Sequence, residues 1–171
     1  MAYDGSHVLG LIVGGQFQDP LRESADVLLG STHKTFPGTQ GGIILCNDKD
    51  VAKKIAKVIM RSPLLIDNIH LHRVGALAIT LIEMLLFGEE YAIQIIKSSK
   101  TLARYLYEDG IEVKCKEKDF TQSHQILYPQ EPEKGLKIRT LLEQAEIIVD
   151  RRIRIGTQEV TILGMKNKEM R

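Results

Sequence analysis

The sequence predicts an α/β fold, with alternating strands and helices in a first part and a smaller α+β domain after it. Two observations support this: short apolar runs bounded by glycine or polar residues within the first fifty positions, and long helical patterns that follow them. A length of 171 residues suits one domain, or one domain and a fragment of another. We place the domains at residues 1–95 and 96–171, joined by a long helix.

The first part is expected to contain two buried strands between helices. "HVLGLIVGG" predicts a short helix that ends at glycine, and "ADVLLGST" has the continuous apolar run of a buried parallel strand. "GGIILCN" predicts a second strand of the same kind. Asp48 is a candidate N-cap for the amphipathic helix "KDVAKKIAKVIM", which Pro63 is expected to end. These strands are too few for a complete doubly wound sheet.

The middle of the chain is rich in helical patterns, and its end returns to short strands. Residues 68–86 are apolar on more than one side, which predicts a buried helix that Gly88 interrupts. A second long helix follows, and Gly110 closes it. Beyond it, "IEVKC", "SHQILY" and "EIIVD" predict strands, and "PEKGLKIRTLLEQA" predicts a helix. The stretch "RIRIGTQEVTILGM" predicts a strand and then a helix over residues 158–165.

Composition and charge argue against several kinds of partner. Lysine and arginine number 23 and the acids 22, so a net charge of +1 offers no basic excess for nucleic acid. Cys46 and Cys115 form no C-x-x-C pattern, so we expect a reducing compartment. We expect no signal peptide and no membrane span, because no basic segment precedes the first apolar run and no run of about 18 apolar residues occurs. The cytoplasm is the expected location.

The stretch "GSTHKTFPGTQGG", residues 30–42, places Lys34 between a histidine and a threonine, ahead of a glycine-rich run. A phosphate-binding P-loop needs glycine directly before the lysine, but His33 stands there, and Leu29 occupies the position of the first glycine. The P-loop is therefore excluded. A lysine can instead form a Schiff base with a carbonyl cofactor when burial or a cationic neighbour frees its amine. From spacing alone, a solvated loop lysine is the more ordinary interpretation.

Asp4, in "YDGSH", follows a possible strand end about one strand-helix unit before the lysine strand. In enzymes that use pyridoxal 5'-phosphate (PLP), an acid pairs with the pyridinium nitrogen while a lysine holds the aldehyde. An Asp and a Lys at the carboxyl ends of neighbouring strands fit that need. The alternative for Asp4 is an N-cap of the helix that starts near Ser6 or His7.

Taken together, these stretches carry a family resemblance. "YDGSHVLGLI", then "DVLLGSTHKTFPGTQGGIIL", then "RIGTQEVT" resembles serine hydroxymethyltransferase, a fold-type I PLP enzyme. The family pattern is D-x-x-H-x-x-G-L-I, then T-x-x-H-K-T or a close variant, then G-P-x-G-G, and later R-[IV]-G-T. The match runs in order along essentially the whole chain. It implies the C-terminal part of an aspartate aminotransferase-like PLP-transferase large domain, followed by a small α+β C-terminal domain.

The resemblance implies catalytic roles for four residues. Lys34 would be the Schiff-base lysine, and Asp4 would pair with the pyridinium nitrogen. His7 would lie near the phenolic oxygen of PLP, and His33 would lie beside the lysine. Lys34, Asp4 and His7 would therefore also bind the cofactor.

Small hydroxyl residues and one arginine complete the implied site. Ser31 and Thr32 would line it, with Ser31 against the cofactor, and Thr35 would face the substrate. Arg154 in "RIGT" would bind the carboxylate of the substrate amino acid, a task that suits a bidentate guanidinium. Taken alone, Arg154 could equally be a surface arginine, because it belongs to a crowded run of arginines.

The chain departs from the family pattern in three places. Family members are usually more than twice this length, and the part that precedes Tyr3 supplies ring stacking, much of the phosphate site and the folate contacts. Between Val149 and Arg154 the family usually has a longer stretch. The G-G-P phosphate loop of the family has no match in this chain near "LLIDNIHLHRVGALAI". We therefore expect a C-terminal portion of such a protein: an isolated domain, half of a split gene product or a degenerate remnant.

Three functions follow as expectations. The first is PLP-dependent interconversion of serine and glycine with folate or a related pterin, weak or absent in this chain alone. The second is a non-catalytic role, in which the chain is a homo-oligomer or completes a partner that supplies the N-terminal half. The third is cleavage of 3-hydroxy amino acids, as in threonine aldolases, because fold does not set the reaction.

The remaining histidines give no functional signal. His70 and His72 lie two positions apart and would not share a helix face, so no metal site is expected. His124 resembles part of a family strand that enters the small domain, which favours a structural role.

Overall fold

The computed structural model describes residues 1–61, 66, 68, 70–129 and 132–171. Its strands and helices are, in chain order, β1 (Ala2–Asp4), α1 (Leu9–Val13), β2 (Val27–His33), β3 (Pro37–Leu45), α2 (Lys49–Arg61), α3 (Leu71–Glu108), a 3-10 helix (Lys116–Lys118), β4 (Gln125–Leu127), α4 (Pro132–Gln144), β5 (Arg154–Gly156) and α5 (Gln158–Ile162). The chain divides into two compact units, Met1–Ala92 and Ile93–Arg171, so the division falls within α3.

A three-stranded sheet organises the first unit, with the strand order β1-β2-β3. β1 and β2 are parallel, and Ala2 is paired with Val27. β2 and β3 are antiparallel, with an irregularity in register between Ser31 and His33. Parallel strands direct their carboxyl ends to the same edge of a sheet, so residues that follow β1 and β2 emerge on the same side.

The core of the first unit lies between the sheet, α1 and the first half of α3. Its buried apolar residues are Leu9, Leu28, Phe36 and Met84. α1 approaches the chain after β2 very closely at Gly10, where a Cβ atom would lie 2.2 Å from the carbonyl oxygen of Thr35. This contact admits only glycine, because real Cβ atoms do not come so close to backbone atoms.

Asp48 caps α2, as its position in the sequence predicts. Its Oδ1 accepts hydrogen bonds from the backbone N–H groups of Asp50 and Val51, at 2.7 Å and 2.9 Å. These are two of the N–H groups that the first turn of a helix leaves without an intrahelical partner. Pro63, the expected helix breaker, lies outside the described residues.

α3 differs from the expectation in two ways. It is one continuous helix of 38 residues, and Gly88 does not interrupt it. A single glycine costs a helix roughly 1 kcal/mol, which the surrounding helix formers outweigh. The prediction of burial is also wrong for the first half, where Leu85 is 83% and Leu86 68% exposed.

α3 is the one helix among the described residues that is long and apolar enough to cross a membrane. That statement concerns length and composition only. A core helix of a globular domain passes the same test, so it assigns no location.

β3 also differs from the expectation. The stretch beginning at Gly41 was expected to form a buried strand of the parallel kind, but β3 begins at Pro37 and runs antiparallel to β2. Ile44 and Leu45 are exposed. A continuous apolar run predicts coverage on both faces, and the described residues do not cover both faces of this strand.

The second unit contains a two-stranded antiparallel sheet, in which Ile126 of β4 is paired with Ile155 of β5. Its core includes the buried residues Ala103, Val113 and Ile126. Two predicted strands are wrong. "IEVKC" leads into the 3-10 helix with Cys115 in the left-handed region (φ 61°), and "EIIVD" begins with Glu146 at φ 62°. A residue with left-handed backbone interrupts the hydrogen-bond pairing of a β-strand. The apolar content of these two segments was therefore not enough to form strands.

Buried hydroxyl groups tie the start of α5 to α3. The Ser99 and Thr157 hydroxyl oxygens lie 2.6 Å apart, and both residues are fully buried. Ser99 Oγ also donates to the carbonyl oxygen of Ile95 at 2.8 Å. The backbone N–H of Thr157 donates to the carbonyl oxygen of His124 at 3.1 Å. These bonds fix the chain directly after β5, and they hold Arg154, at the start of that strand, within a firmly anchored segment.

Candidate functional site

Polar side chains gather where β1 and β2 end in the first unit. Asp4 is the last residue of β1, and Lys34 follows β2 directly. Asp4 is exposed and Lys34 is half-buried. β1 and β2 are parallel, so the chain leaves both strands toward the same edge of the sheet, although Asp4 is paired with Leu29, five residues before Lys34. The charge of Lys34 lowers the pKa of Asp4, so the amine acts on this carboxylate.

Asp4 is held as a carboxylate by its neighbours. Its Oδ1 accepts a hydrogen bond from the backbone N–H of Ser6 at 2.9 Å. Hydrogen bonds from the side chain and backbone of Ser6 lower the pKa of Asp4, desolvation opposes them, and the charges of Lys34 and His7 lower it further. Asp4 does not cap α1: the N-cap of that helix is Val8, without a side-chain hydrogen bond. The alternative role as N-cap is therefore wrong.

Thr35 connects the end of β2 to α1. It is fully buried, its Oγ1 accepts from the backbone N–H of Gly10 at 3.0 Å, and the same hydroxyl donates to the carbonyl oxygen of His7 at 2.9 Å. The hydroxyl thus satisfies two backbone groups at once. It fixes His7, next to Asp4, relative to the chain after Lys34. The role of Thr35 in substrate binding stays a prediction.

The other predicted residues lie along β2. Thr32 is buried, and its Oγ1 donates to the carbonyl oxygen of Thr39 at 2.7 Å. His33 is exposed, and its Nδ1 lies 3.1 Å from the carbonyl oxygen of Gly41. Ser31 is half-buried and borders a largely apolar groove between the sheet and α2. Ser31 and His33 flank the irregularity in register, which turns the strand just before Lys34.

Arg154 lies in the second unit, at the start of β5. Its Nη2 lies 3.2 Å from Oδ2 of Asp150. The guanidinium therefore already pairs with a carboxylate of the same chain. The role of Arg154 with a substrate carboxylate is a prediction that these contacts leave untested.

His70 and His72 form an edge-on ring contact with centroids 5.7 Å apart, and both are exposed. Within the ranges that the structure describes, no three His, Cys, Asp or Glu side chains come together as a metal site.

Sequence reasoning missed two features of these sites. One is the double hydrogen bond of Thr35, which needs the approach of α1 at Gly10 and has no sequence signal. The other is the pairing of Asp150 with Arg154. An acid four residues before a base could have indicated that pair, but only on a helix.

The donor set at the strand ends fits PLP. Lys34 offers an amine for an aldehyde, and Asp4 offers a carboxylate of lowered pKa for a protonated pyridine nitrogen. Ser6 and Ser31 line the groove between the sheet and α2, whereas the buried Thr32 hydroxyl donates to the carbonyl oxygen of Thr39.

Comparisons with known proteins agree with the motifs. A sequence profile of the family described as serine hydroxymethyltransferase matches residues 1–171. The chain is 49% identical to the serine hydroxymethyltransferase of Methanocaldococcus jannaschii, over 99% of the chain and 44% of that protein. It is 49% identical to the one of Methanothermobacter marburgensis, over 98% of the chain and 43% of that protein. The chain thus spans less than half the length of these curated relatives.

A solved structure establishes the fold class. The L-threonine transaldolase from Pseudomonas fluorescens, in its internal aldimine state, superposes with a TM-score of 0.88 and 35% sequence identity. The match covers 99% of this chain and 41% of that one. The prediction of a partial PLP-transferase fold is confirmed. Because the family profile extends over every residue of the sequence, the chain belongs to the serine hydroxymethyltransferase family.

Proposed function

We propose that the chain contributes Lys34 and Asp4 to a PLP-dependent site that interconverts serine and glycine, with folate or a related pterin as the one-carbon carrier. The observation that carries the proposal is the parallel pairing of β1 with β2, whose carboxyl ends point to the same edge of the sheet, together with the charge of Lys34 that lowers the pKa of Asp4. Family membership supports the choice of reaction.

PLP, when bound, supplies an electron sink for the carbanion that forms as a bond to the substrate α-carbon breaks. Asp4 is ionised at neutral pH, as an ordinary aspartate is, and its lowered pKa keeps it ionised in more acidic solution, so it would keep the pyridine nitrogen protonated. Lys34 would hold the aldehyde covalently and later move a proton through its amine. His7 and His33 would donate or accept protons beside them, and Thr35 would hold His7 in position.

The remaining roles follow from the family motifs. Ser31 would bind the cofactor, and Arg154 would bind the carboxylate of serine or glycine. We propose that the chain works in the cytoplasm, without nucleic acid or membrane. We expect turnover by this chain alone to be weak or absent, because it spans less than half of its curated relatives.

The experiment that tests the proposal is trapping of PLP. PLP is added to the purified chain, the visible absorbance spectrum is recorded, and borohydride reduction is followed by peptide mapping. We expect a visible band and a label on Lys34, both lost in Lys34→Ala. Lys53→Ala removes an exposed lysine of α2 and is the matched control, which should keep the label on Lys34. Label scattered over surface lysines would contradict the proposal.

A second candidate function is completion of a partner that supplies the N-terminal half of the family fold. The observation that favours it is the exposed apolar surface of the first half of α3, which includes Leu71, Val74, Leu85 and Leu86. Several exposed apolar side chains on one helix are typical of an interaction surface. Light scattering with and without an N-terminal-half polypeptide tests it. A monodisperse monomer whose mass does not change when the polypeptide is added would contradict this second function.

A third candidate is cleavage of 3-hydroxy amino acids without folate. The similarity to an L-threonine transaldolase favours it. Incubation of the PLP-loaded chain with threonine in the absence of folate, with detection of acetaldehyde, distinguishes this reaction from the first one.

A further inference from the structure

The carboxylate of Asp150 contacts one nitrogen of the Arg154 guanidinium. Nη2 of Arg154 lies 3.2 Å from Oδ2 of Asp150. The other oxygen, Oδ1, accepts hydrogen bonds from the backbone N–H groups of Arg152 and Arg154, both at 3.0 Å. One carboxylate thus meets three donors, two of them fixed in the backbone. This is how a bound carboxylate ligand would be held.

A tight turn brings the two side chains together. The backbone N–H of Ile153 donates to the carbonyl oxygen of Asp150 at 3.1 Å. Ile153 is buried and has a φ of 50°, in the left-handed region that a β-branched side chain rarely adopts. Burial of the Ile153 side chain keeps the backbone in this unfavourable conformation. The turn therefore presents Asp150 to Arg154 as a built feature of the fold.

The Asp150–Arg154 ion pair is partly shielded from solvent, and the segment that follows it is anchored by hydrogen bonds. The side chains of Arg154 and Asp150 are 38% and 39% exposed, whereas Arg151 and Arg152 are more exposed and have no ion pair within the described residues. The segment after β5 is fixed by the buried Thr157 hydroxyl. Among the described residues, Arg154 is thus the one of these three arginines with an ion pair, and it is the one in the "RIGT" motif.

We propose that Asp150 is an internal carboxylate that competes with the α-carboxylate of an amino acid for Arg154. This inference rests on the proposed function, in which Arg154 binds that group. A substrate carboxylate that uses Nη2, as a bidentate contact through both terminal nitrogens does, must displace Asp150 from that nitrogen. Asp150 thereby lowers the affinity of Arg154 for amino-acid carboxylates. Amino acids that bind the site weakly are excluded most strongly. Asp150 is a positioning residue in this account, since it acts through Arg154.

Chemical footprinting with phenylglyoxal, which reacts with arginine, tests the proposal on the chain without cofactor. Cleavage after Glu146 and Glu159 yields one peptide that contains all three arginines, and tandem mass spectrometry measures each one separately. The variant is Asp150→Asn, which keeps an oxygen acceptor for the two backbone N–H groups and removes the charge. Asp109→Asn, at an exposed acid of the same unit that has no ion pair among the described residues, is the matched control.

Asp150→Asn is expected to speed modification of Arg154 about two- to fivefold, as the loss of a modest ion pair would, and to leave Arg151 unchanged. Glycine should then protect Arg154 in the variant at concentrations that do not protect it in the wild type. Glycinamide, which lacks the carboxylate, should protect it in neither. A merely structural role of Asp150 would not produce this difference between glycine and glycinamide.

Two results would overturn the proposal: an unchanged rate at Arg154 in Asp150→Asn, or equal protection by glycine in variant and wild type. Asp150→Ser, which also offers an oxygen acceptor without charge, replaces the first variant if circular dichroism shows that it is unfolded. The footprint needs no PLP, so failure to trap PLP on Lys34 would refute the proposed function and leave this result standing. A refuted role for Asp150 would likewise leave the trapping result unaffected.

Discussion

At the scale of single residues, Asp4 and Thr35 show two uses of polar groups at neighbouring strand ends. Asp4 is exposed, and hydrogen bonds from Ser6 lower the pKa of its carboxyl. Thr35 is fully buried, and its hydroxyl forms hydrogen bonds with two backbone groups. The first group is exposed, and the second fixes the chain after β2 to the start of α1.

Thr35→Val should destabilise the first unit. It leaves the Gly10 N–H and the His7 carbonyl without their hydroxyl partner, at a cost of about 1–3 kcal/mol for a buried unsatisfied group. Thr35→Ser keeps the hydroxyl and is the control. Urea denaturation followed by circular dichroism measures both. Equal midpoints for Thr35→Val and Thr35→Ser would contradict the account.

Asp119 should make stability depend on pH in the second unit. Its Oδ2 lies 2.8 Å from Nζ of Lys100, and Oδ1 lies 3.5 Å from Nη2 of Arg104. The hydrogen bond from Lys100 lowers the pKa of Asp119 below 3.8, desolvation opposes it, and the charges of Lys100 and Arg104 lower it further. Because the folded-state pKa is depressed, the stabilisation is present above the unfolded pKa and is lost as pH falls through the folded one.

Asp119→Asn should flatten the pH dependence of the urea midpoint below about pH 4, where an unperturbed aspartate titrates. Asp109→Asn, at an exposed acid for which no ion pair is described, should leave the slope as in the wild type. An unchanged slope in Asp119→Asn would show that the pairing with Lys100 does not hold in solution.

At the scale of elements, the start of α2 depends on one side chain. The two backbone hydrogen bonds to Asp48, from Val51 and then Asp50, lower its pKa, with desolvation opposing them and the charge of Lys54 assisting. The capping contribution is therefore present above the unfolded pKa of aspartate and is lost as pH falls through the lowered value.

Asp48→Ala should speed hydrogen exchange at the amides of Asp50 and Val51, because both lose their acceptor. Asp48→Asn should retain most of the protection of these two amides against exchange, since an amide oxygen also accepts hydrogen bonds. The protection should then no longer depend on pH, because an amide does not titrate. Exchange measured by NMR at several pH values checks this. Equal protection in Asp48→Ala and the wild type would be evidence against the cap.

Two glycines in helices should respond to alanine in opposite directions. Gly75, in α3, has open space around a Cβ position, so Gly75→Ala should stabilise the chain by about 0.5–1 kcal/mol. Gly10, in α1, would place a Cβ 2.2 Å from the carbonyl oxygen of Thr35, so Gly10→Ala should destabilise it by about 1–3 kcal/mol. Thermal unfolding of both variants gives the two signs, and a shift in the same direction would contradict the packing described for α1.

At the scale of the whole molecule, apolar surface on the first half of α3 should govern association. Replacing both Leu85 and Leu86 by lysine places charges at positions that are 83% and 68% exposed, so folding should be preserved while self-association weakens. Leu163→Lys, at a 76% exposed leucine of the second unit, is the control. Light scattering over a concentration series gives the mass, and an association that persists in the double variant would place the interface elsewhere.

Much of the element order could be predicted from the sequence. Local signals predicted four features: the cap at Asp48, the turn at Gly110, the strand before Lys34 and the helix after β5. They could be predicted because capping, turn and apolar patterns depend on adjacent residues. Lys34 and Asp4 stood out through the family motifs, whereas spacing alone favoured an ordinary loop lysine. Their chemical roles stay predictions, which the trapping experiment addresses.

The sequence alone determined the family, the α/β class and the candidate amine and acid, since these are carried by local motifs that survive in any context. Tertiary structure decided which apolar faces are covered, so β3 and α3 departed from the expectation of burial. It also decided the contacts of Thr35 and the pairing of Asp150 with Arg154. Both depend on close backbone approaches and a left-handed residue, which arise from packing between segments and leave no periodic pattern in the chain.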